Sequence, residues 1–129
     1  MNIIIVMAGG FVGAILRYLA GTLFTAGNGF PLGTFLVNLV GCFALGWLLT
    51  FLIKRKDIRP EISLLFGTGF LGSFTTFSTF SVETLGLFQQ GLPMLAIVYV
   101  LASIFLGLLS SFLGCKLASK NAGKVGESA

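Results

Sequence analysis

Between residues 67 and 83 the sequence reads GTGFLGSFTTFSTFSVE. Phe77 and Phe80 stand three apart, so on a helix they share a face. Thr76, Thr79 and Glu83 fall along a neighbouring polar face, and Ser78 lies between the two rings in sequence. An aromatic ring is negative on its face and positive at its edge. Two ring edges beside hydroxyl donors make a weakly electropositive lining, which suits an anion that must also leave. The competing reading is that the rings only face an apolar surrounding, and 14 phenylalanines in one chain keep it open. The glycines raise a second question. GTGFLG has the spacing of a dinucleotide fingerprint, but no strand precedes it and no acidic residue follows at the right distance. Three glycines in six residues, then Ser73, Thr75 and Thr76, predict a helix break instead. Broken backbone at membrane depth persists only where protein, water or an ion satisfies it, and freed carbonyls are natural cation ligands.

These residues need elements to hold them, and the composition says which. The 129 residues are 56% hydrophobic and 9% charged, against about 25% charged in a soluble domain. The pattern predicts an all-α integral membrane protein with four transmembrane helices and a break in the third. A bilayer core takes about 20 apolar residues per helix. The spans are expected at about 3–24, 32–53, 62–88 and 94–117, forming one four-helix domain over 1–117, with a short disordered tail over 118–129. Pro31, Pro60 and Pro93 stand just before or at the starts of spans two to four, where the missing N–H costs nothing. Residues 1–24 lack the basic start of a cleaved leader, so the first apolar run is read as a span. With four spans, both termini and the central loop share a side. That side carries Lys54, Arg55, Lys56, Arg59, Lys116, Lys120 and Lys124, and the other carries no Lys or Arg. The asymmetry predicts cytoplasmic termini. It also accounts for the sequence pI of about 9.4 without nucleic acid, because the cations flank apolar spans and do not cover a folded face.

Each remaining span holds residues that are costly in lipid. Gly9, Gly13, Arg17 and Gly21 recur at steps of four in the first. The glycines suit close helix approach, whereas Arg17 either snorkels to the interface or faces water or an anion. Thr34 and Asn38 lie four apart in the second span, ahead of Gly41. Asn38 can donate and accept, so it serves either as interhelical glue or as a ligand for an ion. Tyr99, Ser103, Gly107 and Ser111 recur at steps of four in the last span, with Ser110 adjacent, and suggest a polar track. Cys42 and Cys115 have no metal-ligand spacing and read as packing residues. The chain has no histidine and four acidic residues. No nucleophile–base pair or metal set is present in the sequence, so no enzyme is expected. Glu83 is the one acidic residue inside a span, which keeps a proton-coupled anion transporter as the alternative to a channel.

GGFVGAILR (residues 9–17), GTFLVNLVG (33–41) and GFLGSFTTFSTFSVE (69–83) resemble the Fluc, or CrcB, family of bacterial fluoride channels, and the likeness covers all four spans. The resemblance implies a channel of the bacterial cytoplasmic membrane that exports fluoride passively and lowers its cytoplasmic concentration. It implies an antiparallel dimer with two narrow pores. Phe77 and Phe80 would correspond to the pore phenylalanines, Asn38 to the pore asparagine and Arg17 to a vestibule arginine. Ser78, Thr79, Thr34, Glu83, Tyr99 and Ser103 would line the fluoride path. Gly107 stands where a further hydroxyl is expected, so Ser110 or Ser111 would continue the track. Carbonyls of Gly72 and Thr75 would hold a structural Na+ at the dimer axis. The charge asymmetry conflicts with a chain that inserts both ways up, which favours an inverted paralogous subunit over an inverted copy as the partner.

Overall fold

The computed structural model describes residues 2–24, 27, 29–54 and 58–126, with side chains as far as Lys120. The order of elements is α1 (Asn2–Leu23), α2 (Leu32–Lys54), α3 (Pro60–Ser63), a π-helical stretch (Leu64–Leu71), α4 (Gly72–Phe74), α5 (Ser78–Gln89) and α6 (Pro93–Gly126). No strand occurs among the described residues. Three helices, α1, α2 and the Pro93–Lys120 part of α6, are long and apolar enough to cross a membrane. Their bounds lie within a residue or two of the expected spans, except that α6 continues past Leu117 to Gly126 where a disordered tail was expected from Ala118. Ala118, Lys120, Ala122 and Lys124 are strong helix formers, and no proline stops the helix there.

The expected third span is two pieces. Pro60 to Phe74 is continuous helix, Thr75 to Phe77 is not helical, and α5 resumes at Ser78. The break therefore lies at the far end of the expected stretch, at Thr75 and Thr76, while the glycine run GTGFLG, expected to be part of it, stays helical. The glycines are used for packing. A Cβ on Gly9 would collide with the Leu65 carbonyl, one on Gly13 with the Phe70 carbonyl, and one on Gly69 would sit 2.6 Å from the Val6 carbonyl. Main chain thus packs on main chain along α1 and the π-helical stretch, an approach that only residues without side chains allow. The same contacts show the two segments running parallel, since Gly9 meets Leu65 and Gly13 meets Phe70 and Phe74.

Helices α2 and α6 are also parallel. Gly46 abuts the Ser111 carbonyl, and Gly114 abuts Phe43 and Trp47. The turn into α6 is sharp. Gly91 has φ 75°, its N–H donates to the Phe88 carbonyl at 3.1 Å, and the Leu92 N–H donates to Leu87 at 2.9 Å. This Schellman arrangement needs a left-handed residue, and Pro93 then opens the next helix. Near this end lies the core cluster of Leu87, Ala96 and Tyr99, packed by Phe30, Phe35, Phe80 and Leu95. At the opposite end lie Lys54, Arg59, Lys116 and Lys120, all exposed.

Candidate functional site: the broken segment and its groove

Thr76 is the centre of the break. Asn38 on α2 holds it with two hydrogen bonds. The Asn38 Nδ2 donates to the Thr76 carbonyl at 3.0 Å, and the Thr76 N–H donates to Asn38 Oδ1 at 2.9 Å. A side-chain amide so replaces the partners a helix would supply. Thr75 takes extended backbone angles, φ −76° and ψ 155°, which turns the chain out of the helix. Thr76 Oγ1 then accepts the Thr79 N–H at 3.2 Å and donates to Thr79 Oγ1 at 3.1 Å, starting α5. The interhelical reading of Asn38 is thereby what the geometry displays.

Two N–H groups change partners as a result. In a continuous helix the Thr76 N–H would bond Gly72, and the Thr79 N–H would bond Thr75. Here the first is directed to Asn38 and the second to Thr76 Oγ1. The Gly72 and Thr75 carbonyls thus lose their helical donors, and a hard cation is chemically suited to such oxygens. Among the described residues no group of three or more His, Cys, Asp or Glu is placed to hold a metal ion.

Beside the break is an open groove of about 560 Å³, lined by Asn38, Gly41, Cys42, Leu45, Gly72, Thr75, Thr76, Phe77, Phe80, Ser103 and Ile104. Phe77 and Phe80 pair with ring centroids 6.0 Å apart and planes tilted 36°. Phe77 is 80% exposed, so one side of the groove lacks a wall within this chain. Phe80 also contacts Tyr99, with centroids 5.0 Å apart. Tyr99 is fully buried, and its hydroxyl donates to Glu83 Oε2 at 2.9 Å. Thr34 Oγ1 donates to the other oxygen, Oε1, at 2.8 Å. Glu83 is held from α2 and α6 together. A second pocket of about 260 Å³ has Glu83 and Thr34 in its wall, with Phe30 and Pro31. Thr34 and Asn38 are one turn apart on α2, as are Phe80 and Glu83 on α5. The Glu83 clamp therefore lies between pocket and groove.

Of the residues expected to form a path, Asn38, Phe77, Phe80, Ser103, Gly72 and Thr75 come together at the groove. Thr34, Glu83 and Tyr99 form the clamp next to it. Ser78 and Thr79 are exposed and join through Thr76 Oγ1. Ser110 and Arg17, both half-buried, are not in the groove wall. Ser111 lies against Gly46, so the line of hydroxyls on α6 leaves the groove after Ser103 and enters helix packing. Gly41 and Cys42 were missed as site residues, and Thr76, read only as part of the polar face, is the centre of the break. Helical spacing could have found Cys42, one turn from Asn38.

The fold and site define a small all-helical, multi-pass membrane protein whose polar break is fixed by an asparagine from another helix. The sequence model of the family described as "CrcB-like protein, Camphor Resistance (CrcB)" matches residues 4–115. The chain is 54% identical over 117 residues to the "Fluoride-specific ion channel FluC" of Oceanobacillus iheyensis, covering 91% of each chain. It is 51% identical to "Fluoride-specific ion channel FluC 1" of Desulfitobacterium hafniense, over 84% of this chain and 95% of that one. The FluC of Thermosipho melanesiensis is 44% identical over 91% and 95% of the two chains. The chain belongs to the CrcB family, as the three sequence stretches suggested, and that family is one of ion channels and not of enzymes.

Proposed function

We propose that this chain forms a fluoride-selective channel that lets fluoride leave the cytoplasm passively, with the groove beside the break as the anion path. The relatives' names point to fluoride. The observation that carries the path is the Phe77–Phe80 pair set beside Asn38 and Ser103 in one groove. Ring edges and hydroxyl donors attract an anion weakly enough for it to leave. The broken segment, residues 60–89, is the remaining crossing of the bilayer and the third in chain order, since Leu65 packs on Gly9 in the first half of α1 and Glu83 bonds Thr34 at the start of α2. Both termini face the cytoplasm, by the charge asymmetry.

The open side of the groove, with Phe77 exposed, is closed by an inverted second subunit. Gly72 and Thr75 carbonyls hold a structural Na+ there, supplying charge that anchors the break without being transported. The rival reading, an anion transporter coupled to protons, would route them through Glu83. Fluoride efflux from liposomes holding the purified chain together with the partner that supports flux, with the proton gradient clamped at zero, separates the two. A channel discharges fluoride down its own gradient under that clamp and leaves chloride behind. No efflux under the clamp, with efflux restored by a proton gradient, would replace the channel by the transporter.

A further inference from the structure

A third cavity, of about 310 Å³, lies at the basic end of the molecule between α2 and the segment from Ile58 to Leu71. Its described wall is apolar throughout. Trp47 and Phe51 form the aromatic side, stacked with centroids 5.0 Å apart and planes within 9°. Leu48, Ile58, Phe66 and Phe70 contribute most of the rest. Phe66 is 48% exposed, so the cavity is open at the surface of the single chain and is not a sealed void. None of the groove residues beside the break lies in it. An aqueous ligand gains nothing from such a wall, whereas an alkyl chain does.

The rim has a different character. Lys54 follows the wall residues Phe51 and Leu52 at the end of α2, and Arg59 directly follows Ile58. Both side chains are exposed. Lys116 and Lys120 are exposed on α6 at the same end, because Gly114 of α6 abuts Trp47. Among the described residues Glu61 is the acidic residue nearby, and in the sequence Asp57 directly precedes Ile58. An apolar slot under a basic rim, where helices leave lipid, matches a molecule with an alkyl tail and an anionic head.

We propose that this slot is a binding site for an anionic phospholipid of the leaflet at the basic end, with one acyl chain against Trp47 and Phe51 and the phosphate on Lys54 and Arg59. The site ties the end of α2 to the start of the broken segment from outside the ion path. A basic residue at a membrane surface contributes an anionic-lipid preference of about fivefold.

The test is intact mass spectrometry of the purified full chain equilibrated with dioleoyl phosphatidylglycerol or dioleoyl phosphatidylcholine. Wild type is expected to retain phosphatidylglycerol over phosphatidylcholine by roughly 25-fold, about fivefold for each of two rim cations. The Lys54→Gln/Arg59→Gln variant, altered only at exposed positions, should lose that preference and keep its phosphatidylcholine binding. Ala44→Phe or, independently, Leu52→Trp fills the slot and should lower retention of both lipids. Equal retention of the two lipids by wild type would overturn the proposal. So would undiminished retention of both lipids by a folded slot-filling variant, or a slot-filling variant that changes only the oligomer size, which would assign the slot to a second copy.

Discussion

Asn38 does two jobs with one amide. It satisfies both main-chain groups of Thr76, and it lines the groove. Its removal leaves a buried donor and acceptor unpaired, each costing about 1–3 kcal/mol. Asn38→Ala should therefore destabilise the protein by about 2–6 kcal/mol in detergent unfolding and abolish flux. An Asn38→Ala protein as stable as wild type would mean that the break is held by something else. The two rings lead to a different expectation. Phe77 is exposed and Phe80 only half-buried, so Phe77→Ile and Phe80→Ile should leave folding nearly unchanged while cutting fluoride efflux at least about tenfold, because the electropositive edges are lost. Efflux at the wild-type rate from both variants would reject the aromatic-lined path. Residue types were readable here without coordinates: an asparagine in a span, and two phenylalanines among hydroxyls. The pairings were not. Nothing in the sequence joins Asn38 to Thr76, or Glu83 to both Thr34 and Tyr99, because those bonds depend on how three helices meet.

Helix ends follow local chemistry, and prolines and the Gly91 turn put them close to where the sequence analysis expected. The interior of the broken segment does not follow it. Glycine weakens a helix, yet Gly67 and Gly69 stay helical in the π-wound stretch, because close contact of Gly69 with Val6, Gly9 and Gly10 of α1 holds the stretch. Tertiary packing overrides the local preference, and the break moves to Thr75–Phe77, where Asn38 can bind the backbone. The packing role is testable by comparing two glycines on α1. Gly9→Ala must displace the Leu65 carbonyl, whereas Gly21 has nothing within 4 Å of an added Cβ. Gly9→Ala should lower stability by about 1–3 kcal/mol, and Gly21→Ala should be neutral in the same unfolding measurement. Equal effects would remove the close-packing argument. The sodium reading belongs to the same element. If carbonyls of Gly72 and Thr75 are the ligands, Thr75→Ala keeps them and should be tolerated, and transfer to sodium-free buffer should reduce both melting temperature and flux. Full stability and flux without sodium would refute it.

At the scale of the whole molecule, one chain does not close the groove, and the surface carries a strong directional signal. Four of the seven cations in the expected cytoplasmic set, Lys54, Arg59, Lys116 and Lys120, lie exposed at one end of the structure. Such a bias should insert every copy the same way up, yet an inverted partner is proposed to complete the pore. An inverted paralogous subunit resolves the conflict more simply than an inverted copy. A chain carrying Ala129→Cys, with Cys42 and Cys115 replaced by alanine, should react with an impermeant thiol reagent only after cell lysis. Comparable labelling of intact cells would show both orientations and make the paralogue unnecessary. Whichever partner closes the groove, the account stands or falls on what the assembled protein conducts. The direct measurement is the reversal potential in a planar bilayer with opposed fluoride and chloride gradients, using this chain with the partner that supports flux. The account predicts reversal at the fluoride equilibrium potential and loss of the current with Phe80→Ile. Reversal at the chloride potential, or a fluoride current indifferent to Phe77, Phe80 and Asn38, would contradict it.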